Sequence, residues 1–298
     1  MTISDAFHCF IRSRRLKGCG DKTIDSYKNL ISVFVKHIGA DFLLEDISPD
    51  DLEDFVDELY SRPLSKSSVA SYIRNTRIFL SWCEKKYNIK CYASELPVPR
   101  SPKKVLEPYS PDDLALIFRT ISTCSEWLTA RNCSMVALMY DSGIRQKEVC
   151  LLKVRDISFS DCRMKVYGKG SKERFVPIGK LSIQYLKEYL TIRPYDSEYV
   201  FLCYHGDPIS PGAIKSMTWD LQQLLPFEFS SHRLRHNFAT NFLLDQYEER
   251  GQIDIYQLMS VMGHESINTT RRYLHEVNNL IAVNSSISHL DKVLLGVI

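Results

Sequence analysis

Between Ser231 and His275 the chain reads SHRLRHNFATNFLLDQYEERGQIDIYQLMSVMGHESINTTRRYLH, and it gathers His232, Arg235, His264 and Tyr273 at spacings that suit one kind of chemistry. His232 and Arg235 are three apart in a segment whose apolar residues (Leu234, Phe238, Ala239, Phe242, Leu243) recur at helical intervals. A helix therefore puts a proton-handling imidazole and a fixed cation on one face. Gly263-His264 closes a short amphipathic run, Ser266 is placed to cap a new helix, and Tyr273 falls inside that helix as the candidate nucleophile.

These residue types belong together on a phosphodiester. Attack on phosphorus adds charge to the non-bridging oxygens, so catalysis is largely positioning and electrostatic stabilisation. Arginine presents a planar fork to two phosphate oxygens and keeps its charge at any working pH. Tyrosine, with a reference pKa of about 10, needs nearby cations and a base before it attacks. Histidine moves protons near neutral pH.

Two upstream stretches add to the set. Asp141-Ser-Gly-Ile-Arg145-Gln-Lys-Glu148 places an arginine after a glycine turn and a carboxylate three residues on. Val154 to Tyr167 and Arg174 to Ile178 alternate and are rich in β-formers, so they predict a hairpin with Gly168-Lys169-Gly170-Ser171 at its tip. GKGS lacks the earlier glycine and the GK[ST] ending of a phosphate loop, so ATP binding is not supported. With HRLRHNFAT, VMGH and TTRRY, these fragments stand in the order found in the tyrosine recombinases of the lambda-integrase family. The ordered set resembles that family, in its two-domain Xer-like or mobile-element form, along the whole chain. Ile144 stands where leucine is commoner, which leaves the chemistry untouched.

The resemblance implies roles. Arg145 and Arg235 would neutralise the scissile phosphate, His232 would assist proton transfer, His264 would hydrogen-bond the phosphate, and Tyr273 would form a 3′-phosphotyrosyl enzyme. Lys169 would protonate the departing 5′ oxygen, with Lys172 competing for that role if the turn register differs. Glu148 would buttress the site, and His236 would be structural. Because the covalent link conserves the bond energy, neither ATP nor a metal is expected. His232 and His236 form an HxxxH pair, but no HExxH arrangement or cysteine cluster accompanies them. The partner would be double-stranded DNA carrying an inverted-repeat site, bound by a homo-tetramer, alone or with a paralogous recombinase. A type IB topoisomerase shares the chemistry, and a non-catalytic DNA-binding accessory protein is a third reading. The sequence does not separate chromosome-dimer resolution from integration and excision.

The elements that must position these residues are mostly helical. Four helices are expected from Ile3 to about Tyr92, with Gly39 ending the second, Ser48-Pro49 opening the third and Ser65 capping the fourth. They make a compact bundle over residues 1–94, matching the family's SAM-like core-binding domain. Lys66, Ser67, Ser68, Tyr72, Arg74 and Arg77 are DNA-contact candidates there. Residues 95–108 hold four prolines and Arg100, Lys103 and Lys104, so an extended connector is expected, with both lysines as further DNA-contact candidates. Residues 109–298 would form an α+β catalytic domain with a small antiparallel sheet, opening on the capping box Ser110-Pro-Asp-Asp113. Helices are expected from Ser182 to Leu190 and from Pro211 to Leu225, with a short strand at Tyr199-Val200-Phe201 between them. Trp82, Trp127 and Trp219 are expected in cores. Arg233, Arg272 and Lys172 would reach the DNA backbone. The apolar stripe Leu290, Val293, Leu294, Val297 and Ile298 would pack on its own domain or on a neighbouring protomer.

Composition sets the outer limits. At 298 residues, 44% hydrophobic and 25% charged, the chain can build two real cores. No apolar run nears the ~20 residues of a membrane helix, and MTISDAFHCFIRSRR lacks a signal-peptide core. A cytoplasmic, nucleoid-associated protein without membrane contact is expected. Nine scattered cysteines without a CxxC pair argue for reduced thiols. The net charge of +2 says little about DNA, but residues 62–90 carry seven cations against Glu84 alone, which offers phosphates a surface.

Overall fold

The structure, a computed structural model, describes residues 1–99, 107–168 and 172–284. Lys103, Lys104, Lys169 and the stripe from Leu290 to Ile298 lie outside the described residues. The chain divides into two units, Met1–Lys104 and Val105–Ile298, each with its own core.

The first unit is helical: α1 (Ile3–Leu16), α2 (Asp21–Ile38), α3 (Pro49–Ser61) and α4 (Lys66–Tyr87). Caps fix its starts. Thr2 Oγ1 accepts from the Asp5 N–H, Ser48 and Asp51 form a reciprocal capping box, and Ser65 Oγ accepts from the Ser68 N–H at 3.2 Å. The apolar stripes of the four helices meet in a core around Phe10, Phe34, Phe55 and Phe79, with Phe10 and Phe79 packed edge to face. Leu96, in the stretch expected to be a connector, is buried in this core.

The second unit runs α5 (Pro111–Thr120), α6 (Glu126–Ser142), α7 (Gln146–Leu151), β1 (Ile157–Ser158), β2 (Arg163–Tyr167), β3 (Glu173–Pro177), α8 (Lys180–Ile192), α9 (Pro211–Leu224), α10 (Ser231–Arg250), α11 (Ile255–Met262) and α12 (Ile267–Asn284). The strands form one antiparallel sheet in the order β1-β2-β3, with Met164 opposite Val176 and Val166 opposite Arg174. Helix α10 is the hub, packed by α6, α9, α11 and α12. From Leu234 to Thr240 every residue of it is buried, including Arg235, His236, Asn237 and Thr240. The simple one-sided amphipathic segment suggested by its leucines and phenylalanines is thus a helix enclosed on most sides.

Three expectations are corrected. The stretch from Val154 to Tyr167 is not one strand: a 3-10 turn spans Val154–Asp156, and Cys162, at φ 50°, turns the chain between β1 and β2. Tyr199-Val200-Phe201 is not a strand: Tyr199 makes an isolated bridge to Lys153, and the backbone bonds of its neighbours turn to two different segments, Val200 N–H to the Leu152 carbonyl and Ile209 N–H to the Phe201 carbonyl. Trp219 is 64% exposed. Helix α9 buries the face of Ile214, Met217, Thr218 and Leu221, and Trp219 lies outside that arc, whereas Trp82 and Trp127 pack against their units' cores. All nine cysteines are free thiols, and burial pushes the Cys91 and Cys150 pKa values up to about 11. No described helix is long and apolar enough to cross a membrane.

Candidate active site

The site forms where two chain turns meet helix α10. Helix α6 ends at Gly143, whose φ of 59° and packing leave no room for a side chain: a Cβ there would lie 2.4 Å from Phe238 Cδ1. The turn delivers Arg145 to the start of α7. Arg145 Nη1 donates to Glu148 Oε1 at 3.0 Å, and its backbone N–H donates to Oε2 at 2.8 Å. Glu148 is buried, and Arg174 of β3 closes on it with both ends of its fork, at 2.7 and 2.8 Å. Burial alone would raise the Glu148 pKa, but the hydrogen bonds from Arg174 and Arg145 outweigh it and hold the carboxyl below its ordinary value.

The last carbonyls of α11 form the second turn, and three successive ones each hold an arginine. Val261 C=O accepts from Arg174 Nε at 2.7 Å, Met262 C=O from Arg235 Nη2 at 2.8 Å, and Gly263 C=O from Arg145 Nη2 at 2.9 Å. A helix C-terminus leaves such carbonyls without helical partners and carries partial negative charge, so it suits cations. Arg235 also donates to the Gly143 carbonyl, which ties α10 to the first turn. Burial, and then the like charge of Arg145, bring the Arg235 pKa down to about 10, which still leaves it charged at neutral pH.

His264 follows directly. Its Nε2 lies 3.0 Å from Arg235 Nη2, and its Nδ1 lies 2.9 Å from Thr270 Oγ1. A guanidinium only donates, so Nε2 accepts and the neutral ring carries its proton on Nδ1. Burial, with Arg235, Arg145, Arg272 and Arg174 around it, brings the His264 pKa down to about 4. Tyr273, nearly two turns into α12, is 1% exposed. Its ring lies parallel to that of His264 with centroids 6.3 Å apart, and 5.2 Å from the His236 ring. His236 Nε2 in turn meets Glu276 Oε2 at 3.1 Å. His232 sits at the exposed rim, where partial burial and then the charges of Arg272 and Arg235 lower its pKa.

The described members of the expected set, Arg145, Glu148, His232, Arg235, His264 and Tyr273, therefore converge on one place in the second unit. Arg272, expected only at the DNA backbone, has its guanidinium 5.6 Å from the Tyr273 ring centre and acts electrostatically on both histidines. Arg233 is turned elsewhere: it stacks over Tyr109 at 4.8 Å and donates to the Glu107 carbonyl at 3.3 Å. Lys172 is exposed, and its carbonyl accepts from the Gly168 N–H at 2.8 Å beside the hairpin tip. On α4, Lys66, Ser67, Arg74 and Arg77 are exposed within about a 100° arc at ~100° per residue. Tyr72 departs from that group, being half-buried against the core from another face. Sequence reasoning missed Arg174 and Thr270. Arg174 had a signal: on β3 it shares the inward side with Val176 while Phe175 points out at 60% exposure, so the usual polarity of a strand is inverted there.

Two arginines are thus held side by side near a tyrosine, on a mostly helical chain with a small antiparallel sheet. The chain belongs to the phage integrase family, the tyrosine recombinases: residues 110–279 match the phage integrase family and residues 7–89 its N-terminal SAM-like domain. It is similar to tyrosine recombinase XerC of Anoxybacillus flavithermus, at 26% identity over 276 residues, covering 87% of this chain and 88% of that protein. In fold it resembles XerH bound to palindromic difH substrate in a post-cleavage complex, at a TM-score of 0.71 and 23% identity, covering 95% of this chain and 84% of that one. It also resembles a lambda integrase dimer bound to a core site, at a TM-score of 0.72 and 18% identity, covering 92% of this chain and 95% of that one.

Proposed function

We propose that this recombinase assembles as a homo-tetramer on an inverted-repeat DNA site in the cytoplasm and exchanges strands there, with the residues above as its catalytic set. The observation that carries the assignment is the cradle of successive carbonyls, which holds Arg145 and Arg235 side by side although they are far apart in sequence. Arg235 is buried, and the like charge of Arg145 beside it lowers its pKa, so an anion between the two relieves their repulsion. A scissile phosphate is such an anion.

In this reading Tyr273 Oη attacks phosphorus, the P–O5′ bond breaks, and a 3′-phosphotyrosine forms. His232 takes the phenol proton, and Lys169, or Lys172 beside it, gives one to the 5′ oxygen. Arg145 and Arg235 hold the non-bridging oxygens, and neutral His264, whose ring has both nitrogens engaged by Arg235 and Thr270, fixes the Arg235 fork in place of the expected hydrogen bond to the phosphate. A second strand's 5′-hydroxyl then reverses the step through a Holliday junction. Tyr273 at 1% exposure must move outward with α12 before it attacks, so cleavage would await assembly on DNA. Strand exchange of this kind serves either mobile-element movement or chromosome-dimer resolution.

The test is covalent capture. Wild-type protein and Tyr273→Phe are incubated with a fragmented genomic library, denatured, and the protein-linked strands sequenced. Linked strands from wild type alone, ending at one 3′ position beside an inverted repeat, support the reading. Linked strands from Tyr273→Phe would remove Tyr273 from the nucleophile's role, and scattered ends would replace site-specific exchange with topoisomerase-like relaxation.

A further inference from the structure

Arg174 is a charged side chain to which the chemistry above gives no duty, and it stands where three parts of the site meet. It starts on β3, the descending strand of the hairpin, opposite Val166. Its Nε donates to the Val261 carbonyl at 2.7 Å, and its two terminal nitrogens donate to the two oxygens of Glu148 at 2.7 and 2.8 Å. The side chain is 12% exposed and that of Glu148 2%. Glu148 in turn holds the Arg145 backbone and guanidinium. Gly263 leaves the space: a Cβ there would come 3.0 Å from Arg174 Nε.

A planar fork on a carboxylate, locked at its third nitrogen by a carbonyl, has one geometry. The hairpin stem is therefore registered to α7, which carries Arg145, and to the end of α11, which carries His264. Beside this lock the Gly168 N–H donates to the Lys172 carbonyl at 2.8 Å, so the pairing of the two strands continues beyond Tyr167 and Glu173. We propose that Arg174 is a positioning residue for proton delivery: by fixing the hairpin stem against the phosphate-binding arginines, it sets where the hairpin's lysine meets the 5′ oxygen. The inference rests on the reading of that lysine as proton donor. It predicts that Arg174 matters for breaking the P–O5′ bond with proton transfer, and little for binding DNA or for the attack of Tyr273.

The leaving group separates these roles. A 5′-bridging sulfur leaves as a thiolate, whose conjugate acid has a pKa of about 8.5 in a cysteine model, so it needs no proton from the enzyme. The substrate is a nicked duplex bearing the site recovered by covalent capture, with either the natural oxygen or sulfur at the scissile 5′ position. The rate of covalent complex formation is measured at saturating DNA for full-length wild type, Arg174→Met, Arg174→Lys, Lys169→Ala and Lys172→Ala, with a thermal melt of each. Arg174→Met should lose about a hundredfold on the oxygen substrate, the low end of what a general acid supplies, and stay within about threefold of wild type on sulfur. Arg174→Lys keeps the charge without the fork and should recover only part of the loss, which keeps the test open if the methionine variant does not fold. Equal losses on both substrates by the Arg174 variants, with a lysine variant rescued by sulfur, would overturn the inference alone. Neither lysine variant being rescued by sulfur would overturn the donor's assignment and the inference with it.

Discussion

His264 shows how much a single residue here owes to its neighbours. A histidine is the usual switch near neutral pH, but burial and four surrounding arginines bring this one down to about 4 from an ordinary 6.5. As pH falls, the unfolded chain therefore takes up the proton first, so the stability His264 contributes is complete above about 6.5 and is lost progressively as pH falls towards about 4. Histidine NMR on the free protein should find His264 neutral and protonated on Nδ1 at pH 6. A ring titrating near 6.5 would rule out both the tautomer and its duty of holding Arg235. Glu148 gives a companion case of the other sign. Its carboxyl is held below the ordinary 4.5 by Arg174 and Arg145, so its contribution is present above about 4.5 and lost in acid. Glu148→Gln leaves two arginines without their counter-charge and should cost about 3–5 kcal/mol at pH 7, the range for breaking a buried ion pair. Urea unfolding should show that gap, and show it narrowing as the pH drops through the Glu148 titration; a loss under about 1 kcal/mol at pH 7 would mean the fork adds little.

At the scale of elements, helix ends do most of the positioning, and they are also the most legible part of the chain. Ser48, Ser65, Ser110, Gly143 and Gly263 mark starts and stops in the sequence because capping and left-handed turns demand those residue types. The candidate catalytic motifs were legible for a related reason, since each sits at or near such an end: Arg145 after Gly143, His264 after Gly263, and Tyr273 about two turns beyond Ser266. What stayed hidden depends on contacts between distant segments. Nothing local says that Arg174 faces Glu148 or that Thr270 Oγ1 accepts a hydrogen bond from His264 Nδ1–H. The Trp219 exposure also follows from which face α9 buries, not from the residue. Two glycines test the argument. Gly143 and Gly251 both end helices with left-handed backbone, at φ 59° and 66°, so alanine at either meets about 1–2 kcal/mol of backbone cost. Only at Gly143 does the new Cβ collide with a ring, 2.4 Å from Phe238 Cδ1, while at Gly251 nothing lies within 4 Å. Gly143→Ala should therefore lose about 1–3 kcal/mol more than Gly251→Ala, the usual cost of overpacking, and should weaken cleavage because the Gly143 carbonyl also holds Arg235. Equal melting temperatures for the two variants would show that the collision relaxes freely.

At the scale of the molecule, the proposed catalytic set and the candidate DNA-contact stripe belong to different units. The described active-site residues all belong to the second unit, yet the clearest exposed basic stripe, Lys66, Arg74 and Arg77 with Ser67, lies on α4 of the first. Each unit has its own apolar core. If the stripe meets phosphates, its share of affinity comes from releasing counterions and so falls with salt, whereas the Tyr273 step depends on the arginine cradle and not on the stripe. Arg74→Ala/Arg77→Ala should thus weaken DNA binding at 0.15 M salt and reduce the slope of log affinity against log salt by about 2, near one per lost phosphate contact. At saturating DNA the rate of phosphotyrosine formation should stay within about twofold of wild type. Binding measured across a salt series, together with single-turnover cleavage, decides the matter. An unchanged slope would take the stripe off the phosphates and return it to an ordinary solvated helix face. A normal slope with slowed cleavage would mean that α4 acts on the chemistry itself, and the division of labour between the units would have to be given up.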